Sequence, residues 1–291
     1  MKARLRRLPL ALDPTPYPDV KDPCPVLVAG TWHLFATGCR AHGGWDVLHA
    51  VAAAPGGPWR LLAPSRVDGV HGTGVCAPGV TVEGDVLHLW LQTDFAAPGA
   101  RVEHCVSSDG GATFVRVGTA VAPTPPSGAY DGQPAWVHGR RWLAWAQFDT
   151  VGRTELWAAA ADGWDGPWAG AAPLLRLPDV GWQARPGSPS YEWGLEGPQL
   201  LELPDGRVLL VAVGFRRRGR SGTRQRLLLA VAPAVEGPWE VLPPPLHGPG
   251  AWGGENGHGT GYLVDGRVEL LLQERQAGGH WGLARALLTI S

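Results

Sequence analysis

The chain has 291 residues, enough for one large all-β domain or two ordinary ones, and its formal net charge of -1 offers no basic surface to nucleic acid or to an anionic membrane. Hydrophobic residues reach 44% while charged residues stay at 18%. With 42 glycines and 28 prolines, this is the composition of many short strands joined by many turns. No run approaches transmembrane length.

The basic segment Lys2 to Arg7 is followed by an apolar stretch, Leu8 to Leu12, that is too short for a signal peptide and contains Pro9. A cytoplasmic location is therefore expected. The four cysteines, Cys24, Cys39, Cys76 and Cys105, lack metal-type spacing and are expected as free thiols. Cys24 and Cys76 hold equivalent repeat positions, which leaves a disulfide between them as the alternative.

Self-similarity dominates the rest. The unit is an apolar strand, a turn carrying glycine, a second apolar strand and a third. Hairpins run over Pro25–Ala36, Pro78–Trp90, Pro134–Trp145, Pro198–Val213 and Gly261–Leu272. Third strands follow at Val47–Ala54, Val102–Ser107, Glu155–Ala161, Leu227–Ala232 and Trp281–Ile290. A further turn and strand recur at Gly57–Leu62, Gly166–Trp168 and Gly237–Leu242. In the second repeat Ser107–Phe114 takes that place and resembles the Asp-box turn of sialidase-like propellers.

Five repeats of four strands predict an all-β, five-bladed β-propeller spanning residues 1–291 as a single domain. The fifth repeat ends after three strands. Ala3–Leu10 is the candidate for the missing outer strand, closing the ring and covering a sheet edge. The connection Asp179–Glu192 is long enough to border a cleft.

In a propeller the first strand of each blade lines the axis. Residues just before those strands converge. They are Asp22 in Lys21-Asp22-Pro23, Asp131 in Tyr130-Asp131-Gly132, Glu196 in Leu195-Glu196-Gly197 and His258 in Asn256-Gly257-His258-Gly259. A single loop glutamate is ordinarily just solvated. Three acids in phase with the repeats are another matter. Like charges in a confined site repel and desolvate, so at least one carboxyl should titrate high. That is the acid/base pairing glycoside hydrolysis uses.

The order Asp22-Pro23, Ala77-Pro78, Asp131, Glu196-Gly197-Pro198 and Gly257-His258-Gly259 resembles family 43 glycoside hydrolases, the arabinanases, arabinofuranosidases and β-xylosidases. The likeness covers about residues 20 to 290. It implies an inverting glycosidase acting on arabinose- or xylose-containing oligosaccharides, with Asp22 as general base, Glu196 as general acid and Asp131 as the residue that tunes and orients the acid. It also implies that no cofactor is required, and it puts His258 near the axis, where some relatives hold a calcium ion through water. Departures are Gly132, where the family often has proline, and Ala77-Pro78, which lacks a following acid. The furan-directed retaining propellers begin with an Asn-Asp-Pro-Asn type motif that Lys21-Asp22-Pro23-Cys24 does not supply.

Among 15 tryptophans, Trp45, Trp193 and Trp252 sit in glycine-rich segments and are candidate sugar platforms, because a flat ring matches the C–H face of a sugar. Trp32, Trp90, Trp142 and Trp145 read as core. Arg275 is a candidate substrate contact, with a surface ion pair as its alternative. His258 is a candidate substrate or metal contact, its glycine flanks letting the backbone approach the axis. Without an export signal, small imported saccharides are the expected substrates. Two rivals are a non-catalytic carbohydrate-binding propeller and a sialidase-like hydrolase, which needs a nucleophilic tyrosine and an arginine triad.

Overall fold

The computed structural model describes residues 1–291 apart from 14, 73, 95–98, 123–127, 149–153, 177–178, 180–192, 218–222 and 244–254. The cleft role expected of Asp179–Glu192 therefore falls, beyond Asp179, outside the described residues. The described residues form 21 strands and no α-helix.

Strand β1 (Ala3–Leu8) precedes a meander of β2 (Asp19–Val28), β3 (Thr31–Cys39), β4 (Trp45–Ala52) and the short β5 (Arg60–Leu61). Next, β6 (Arg66–Asp68) lies parallel on the outer edge of β10 (Thr113–Val121), beyond β7 (Cys76–Glu83), β8 (Val86–Thr93) and β9 (Arg101–Ser107). This extra edge strand has no counterpart in the sequence repeat. The third meander is β11 (Ala129–Val137), β12 (Arg140–Phe148), β13 (Thr154–Ala161) and β14 (Ala169–Leu175). The fourth is β15 (Trp193–Glu202), β16 (Val208–Arg217), β17 (Thr223–Ala232) and β18 (Glu240–Val241), touching the third through one parallel pair, Thr154 with Gly194. The last comprises β19 (Asn256–Val264), β20 (Arg267–Arg275) and β21 (Trp281–Ile290). Here β1 runs antiparallel to β21 from Ala3 opposite Ile290 to Leu8 opposite Arg285.

These strands form because both faces of each sheet are covered, so middle strands become continuous apolar runs. Val208 to Val213 is the plainest case, six successive residues with no exposed surface. The buried clusters lie between neighbouring sheets. Phe35 packs with Leu87 and Phe114, Trp90 with Leu143 and Trp145, Tyr130 with Leu195, and Leu209 with Leu270. Leu34 and Trp59 pack with Tyr262 and Leu271, joining the first sheet to the last. The architecture is thus all-β and propeller-type, its innermost strands β2, β7, β11, β15 and β19 gathered at the centre.

The recurrent turns are structural, as read. Trp59 and Trp239 each donate their ring N–H to a carbonyl four residues back, Pro55 and Val235, at 3.2 Å. Asp109 accepts the Thr113 N–H at 2.9 Å and the Ser107 hydroxyl at 2.7 Å. All four cysteines are free, which excludes the Cys24–Cys76 disulfide. Cys24 instead accepts the Val80 N–H at 3.2 Å, and Cys76 accepts from the Gln92 amide at 3.0 Å.

Candidate active site

All five innermost strands carry a bulge at the same level. Their pairing slips between Lys21 and Cys24, Cys76 and Gly79, Tyr130 and Gln133, Glu196 and Gln199, and Asn256 and Gly259. An extra residue frees a backbone N–H from the ladder and re-aims the side chains around it. Asp22, Ala77 and Asp131 adopt φ of 50°, 52° and 56°, and Gly197 adopts 59°. Such angles are uncommon outside glycine, though aspartate tolerates them better than most residues. Backbone strain of this sort persists where surrounding structure enforces it, and it gathers at functional sites.

The freed N–H groups are met by side chains from neighbouring sheets. Asp22 N–H donates to Gln273 Oε1 at 3.1 Å, Ala77 N–H to Thr37 Oγ1 at 2.9 Å, Asp131 N–H to Gln92 Oε1 at 3.1 Å and Gly197 N–H to Asp131 Oδ2 at 3.0 Å. Each of these four bulges is therefore satisfied and simultaneously ties one sheet to the next. Gly132 has a local reason too. A Cβ there would lie 2.4 Å from Val102 Cγ1, so the position accepts no larger residue without movement.

The bulges bring Asp22, Asp131 and Glu196 around one imidazole. His258 Nδ1 lies 3.3 Å from Asp22 Oδ1. Its Nε2 lies 3.4 Å from Glu196 Oε1 and 3.8 Å from Asp131 Oδ2. Gly197 makes that approach possible, since a Cβ on it would stand 2.7 Å from His258 Nδ1. Burial alone would lower the imidazole pKa. Asp131, Asp22 and the hydrogen bond to Glu196 outweigh it and push His258 up to about 10. Burial raises Asp131 to about 7, with Glu196 and Asp22 adding and the His258 charge opposing. The centre is thus an imidazolium facing three acids, with one acid holding its proton up to neutral pH.

Around this centre stand Lys21, Trp45, Cys76, Gln92, Gln225 and Gln273. Trp45 opens β4 rather than sitting outside the strands, and the Lys21 ammonium lies 6.0 Å from its ring centroid. Trp193 likewise opens β15, while Trp252 lies outside the described residues. Arg275 is engaged elsewhere. It pairs with Glu255 at 3.4 Å and covers the Trp281 ring at 4.8 Å, the ion-pair alternative weighed for it. Sequence reasoning missed Lys21, Cys76 and the glutamines. Their one signal is position, Lys21 and Cys76 each standing at the last paired residue before a bulge.

A directly held calcium ion does not fit this donor set. Calcium takes about six to eight oxygen ligands. Asp131, Glu196 and His258 offer one ligand atom each within 4.8 Å of one another, and one of the three is an imidazole nitrogen.

The fold has solved counterparts. An endo-arabinase from Bacteroides thetaiotaomicron VPI-5482 superposes with a TM-score of 0.74 at 14% identity, covering 98% of this chain and 99% of that one. A thermostable family-43 glycoside hydrolase gives 0.70 at 15%, covering 97% and 91%. An α-L-arabinofuranosidase from Lactobacillus brevis gives 0.70 at 15%, covering 97% and 94%. No protein-family model and no curated protein matches the sequence. The class is therefore defined by shape. This chain has the all-β, propeller-type fold that family-43 glycoside hydrolases share.

Proposed function

We propose that the protein is a glycoside hydrolase that cleaves arabinose- or xylose-containing oligosaccharides with inversion. The observation that carries the reading is the convergence of Asp22, Asp131 and Glu196 on His258. The family-43 resemblance of the same residues and the arabinan-directed names of the structural neighbours support it. His258 stands between Asp22 and Glu196, and inversion by this pair calls for carboxyls about 6.5–9.5 Å apart.

In this mechanism Asp22 takes a proton from water as its oxygen attacks the anomeric carbon. Glu196 gives its proton to the departing glycosidic oxygen as the C–O bond breaks. Asp22 then releases its proton to solvent, and solvent reloads Glu196. Asp131 orients the acid through the backbone, because its carboxylate receives the N–H of Gly197, the residue next to Glu196. His258 supplies a positive charge that balances the acids. Trp45 offers its ring to the sugar. We further propose that 1–291 is one domain, a five-bladed ring that β1 closes by pairing with β21. The sialidase-like alternative loses ground, since no tyrosine is among the described residues lining this centre.

Aryl arabinofuranosides, xylosides, galactofuranosides and sialosides test the reading against wild type, Glu196→Gln and Asp22→Asn. Pentoside turnover is expected, falling about 10²–10⁴-fold in either variant, the usual worth of a general acid or base. Proton NMR of the first-formed anomer reports inversion. Sugar binding without turnover by wild type would overturn the hydrolase in favour of a binding propeller.

A further inference from the structure

The glutamines form a single oriented chain. Gln273 Oε1 accepts the Asp22 backbone N–H at 3.1 Å, and Gln273 Nε2 donates to Gln225 Oε1 at 2.7 Å. Gln225 Nε2 then donates to Glu196 Oε1 at 2.7 Å. Each amide accepts once and donates once. Flipping either would set oxygen against oxygen or N–H against N–H, so the direction is fixed from end to end. The chain crosses from β2 through β20 and β17 to β15. Gly257 leaves the space for it, as a Cβ there would meet Gln225 Oε1 at 2.2 Å and Gln273 Nε2 at 2.3 Å. Gln273 is 1% exposed, so its amide has no water to fall back on.

We propose that Gln225 and Gln273 are positioning residues that tie the backbone of Asp22 to the carboxyl of Glu196 and decide which Glu196 oxygen carries the catalytic proton. This rests on the glycosidase reading above. Oε1 receives the Gln225 N–H and also faces His258 Nε2 at 3.4 Å. Two donors converge on it, so a proton there would be set against both. Oε2 is left to carry the proton and deliver it to the leaving oxygen. The relay fixes the rotation of the carboxyl and the separation of the two acids together. It acts through the Asp22 backbone and the Glu196 carboxyl.

The test uses the full chain, the nearly isosteric Gln225→Met and Gln273→Met, and two aryl pentosides. A 2,4-dinitrophenyl aglycone departs without protonation, whereas a phenyl aglycone needs the acid. With Gln225→Met, kcat/KM for the phenyl substrate is expected to fall about tenfold to a hundredfold, the scale of a misplaced catalytic group, with little change for dinitrophenyl. The basic limb of the pH profile should move upward, because a donor to the carboxylate has been removed. Gln273→Met should act in the same direction and more weakly. Equal losses on both aglycones with unmoved limbs would overturn the relay while leaving the glycosidase reading intact. Wild-type inactivity on every aryl glycoside would instead strike the reading itself. Carbon-13 titration of the Glu196 carboxyl judges the relay without turnover. An upward shift in either variant supports it, and identical titration in all three proteins refutes it.

Discussion

Replacing His258 by glutamine tests whether an imidazolium holds the centre together. In the unfolded chain this histidine titrates near its ordinary 6.5, whereas in the folded protein it is raised to about 10. A raised histidine contributes stability that is fully present below the unfolded pKa and lost as pH rises through the folded one. At about 1.4 kcal/mol per pKa unit, the contribution relative to a group that never ionises is about 4 kcal/mol at pH 7 and under about 1 kcal/mol at pH 10. That agrees with the roughly 3–5 kcal/mol lost when one partner of a buried ion pair is removed. The side chain is 13% exposed, so solvent screens little of it. Urea unfolding of wild type and His258→Gln at pH 7, 8.5 and 10 reads the difference directly. The gap should narrow across that range, less steeply than a lone imidazole would give, because losing the His258 charge lets Asp131 keep its proton in the variant. A gap that widens would refute the imidazolium and with it the charge balance assigned to the site.

Further outcomes follow from the same geometry. EDTA or added calcium should leave turnover unchanged, and loss on chelation with recovery by calcium would put a metal where the imidazolium stands. Gly197→Ala should cost about 1–3 kcal/mol from the left-handed backbone and lower kcat by displacing His258. Gly206→Ala is the control, since its φ is 82° but a Cβ there would meet nothing within 4 Å, so stability falls without loss of activity. Acid should also weaken the fold at a distance from the site. Burial lowers His49 and His104 to about 4, with His33 and His88 as their neighbours and Asp109 and Asp165 opposing. Below the ordinary 6.5 the unfolded chain binds protons that these rings refuse, so stability drops as pH falls from 6.5 towards 4, by about 1.4 kcal/mol per pH unit for each ring. Urea midpoints of His49→Gln and His104→Gln between pH 7 and 4 should show a flatter dependence than wild type, and an unchanged slope would count against the neutral pairs. For His88 and His104 the nitrogens meet at 3.0 Å between nearly parallel rings, the distance of one hydrogen bond whose direction depends on the tautomer.

The repeats were legible because alternating strands, glycine turns and Gly-Pro-Trp punctuation are local. Five copies in phase then fix which residues approach the axis, so Asp22, Asp131, Glu196 and His258 could be grouped before any coordinates. What stayed hidden is what depends on the bulge. Asp22 and Asp131 occupy its left-handed position, Glu196 stands one residue earlier beside Gly197, and His258 one residue later beside Gly257. Three different offsets let four side chains meet at one point without colliding, which strict five-fold repetition would forbid. Gln225 and Gln273 were hidden for a second reason. They stand toward the polar ends of their strands, Gln225 between Arg224 and Arg226 and Gln273 just before Glu274, where an amide reads as solvated. The fold instead gives their polar atoms each other, Glu196 and the Asp22 backbone as partners. In this chain the bulged N–H groups of Asp22, Ala77, Asp131 and Gly197 need acceptors, and a neighbouring sheet provides each one. The strain of the bulges and the side chains that meet them are thus two halves of one arrangement, in which β2, β11 and β15 each give up a ladder bond beside an acid and recover it from a neighbouring sheet.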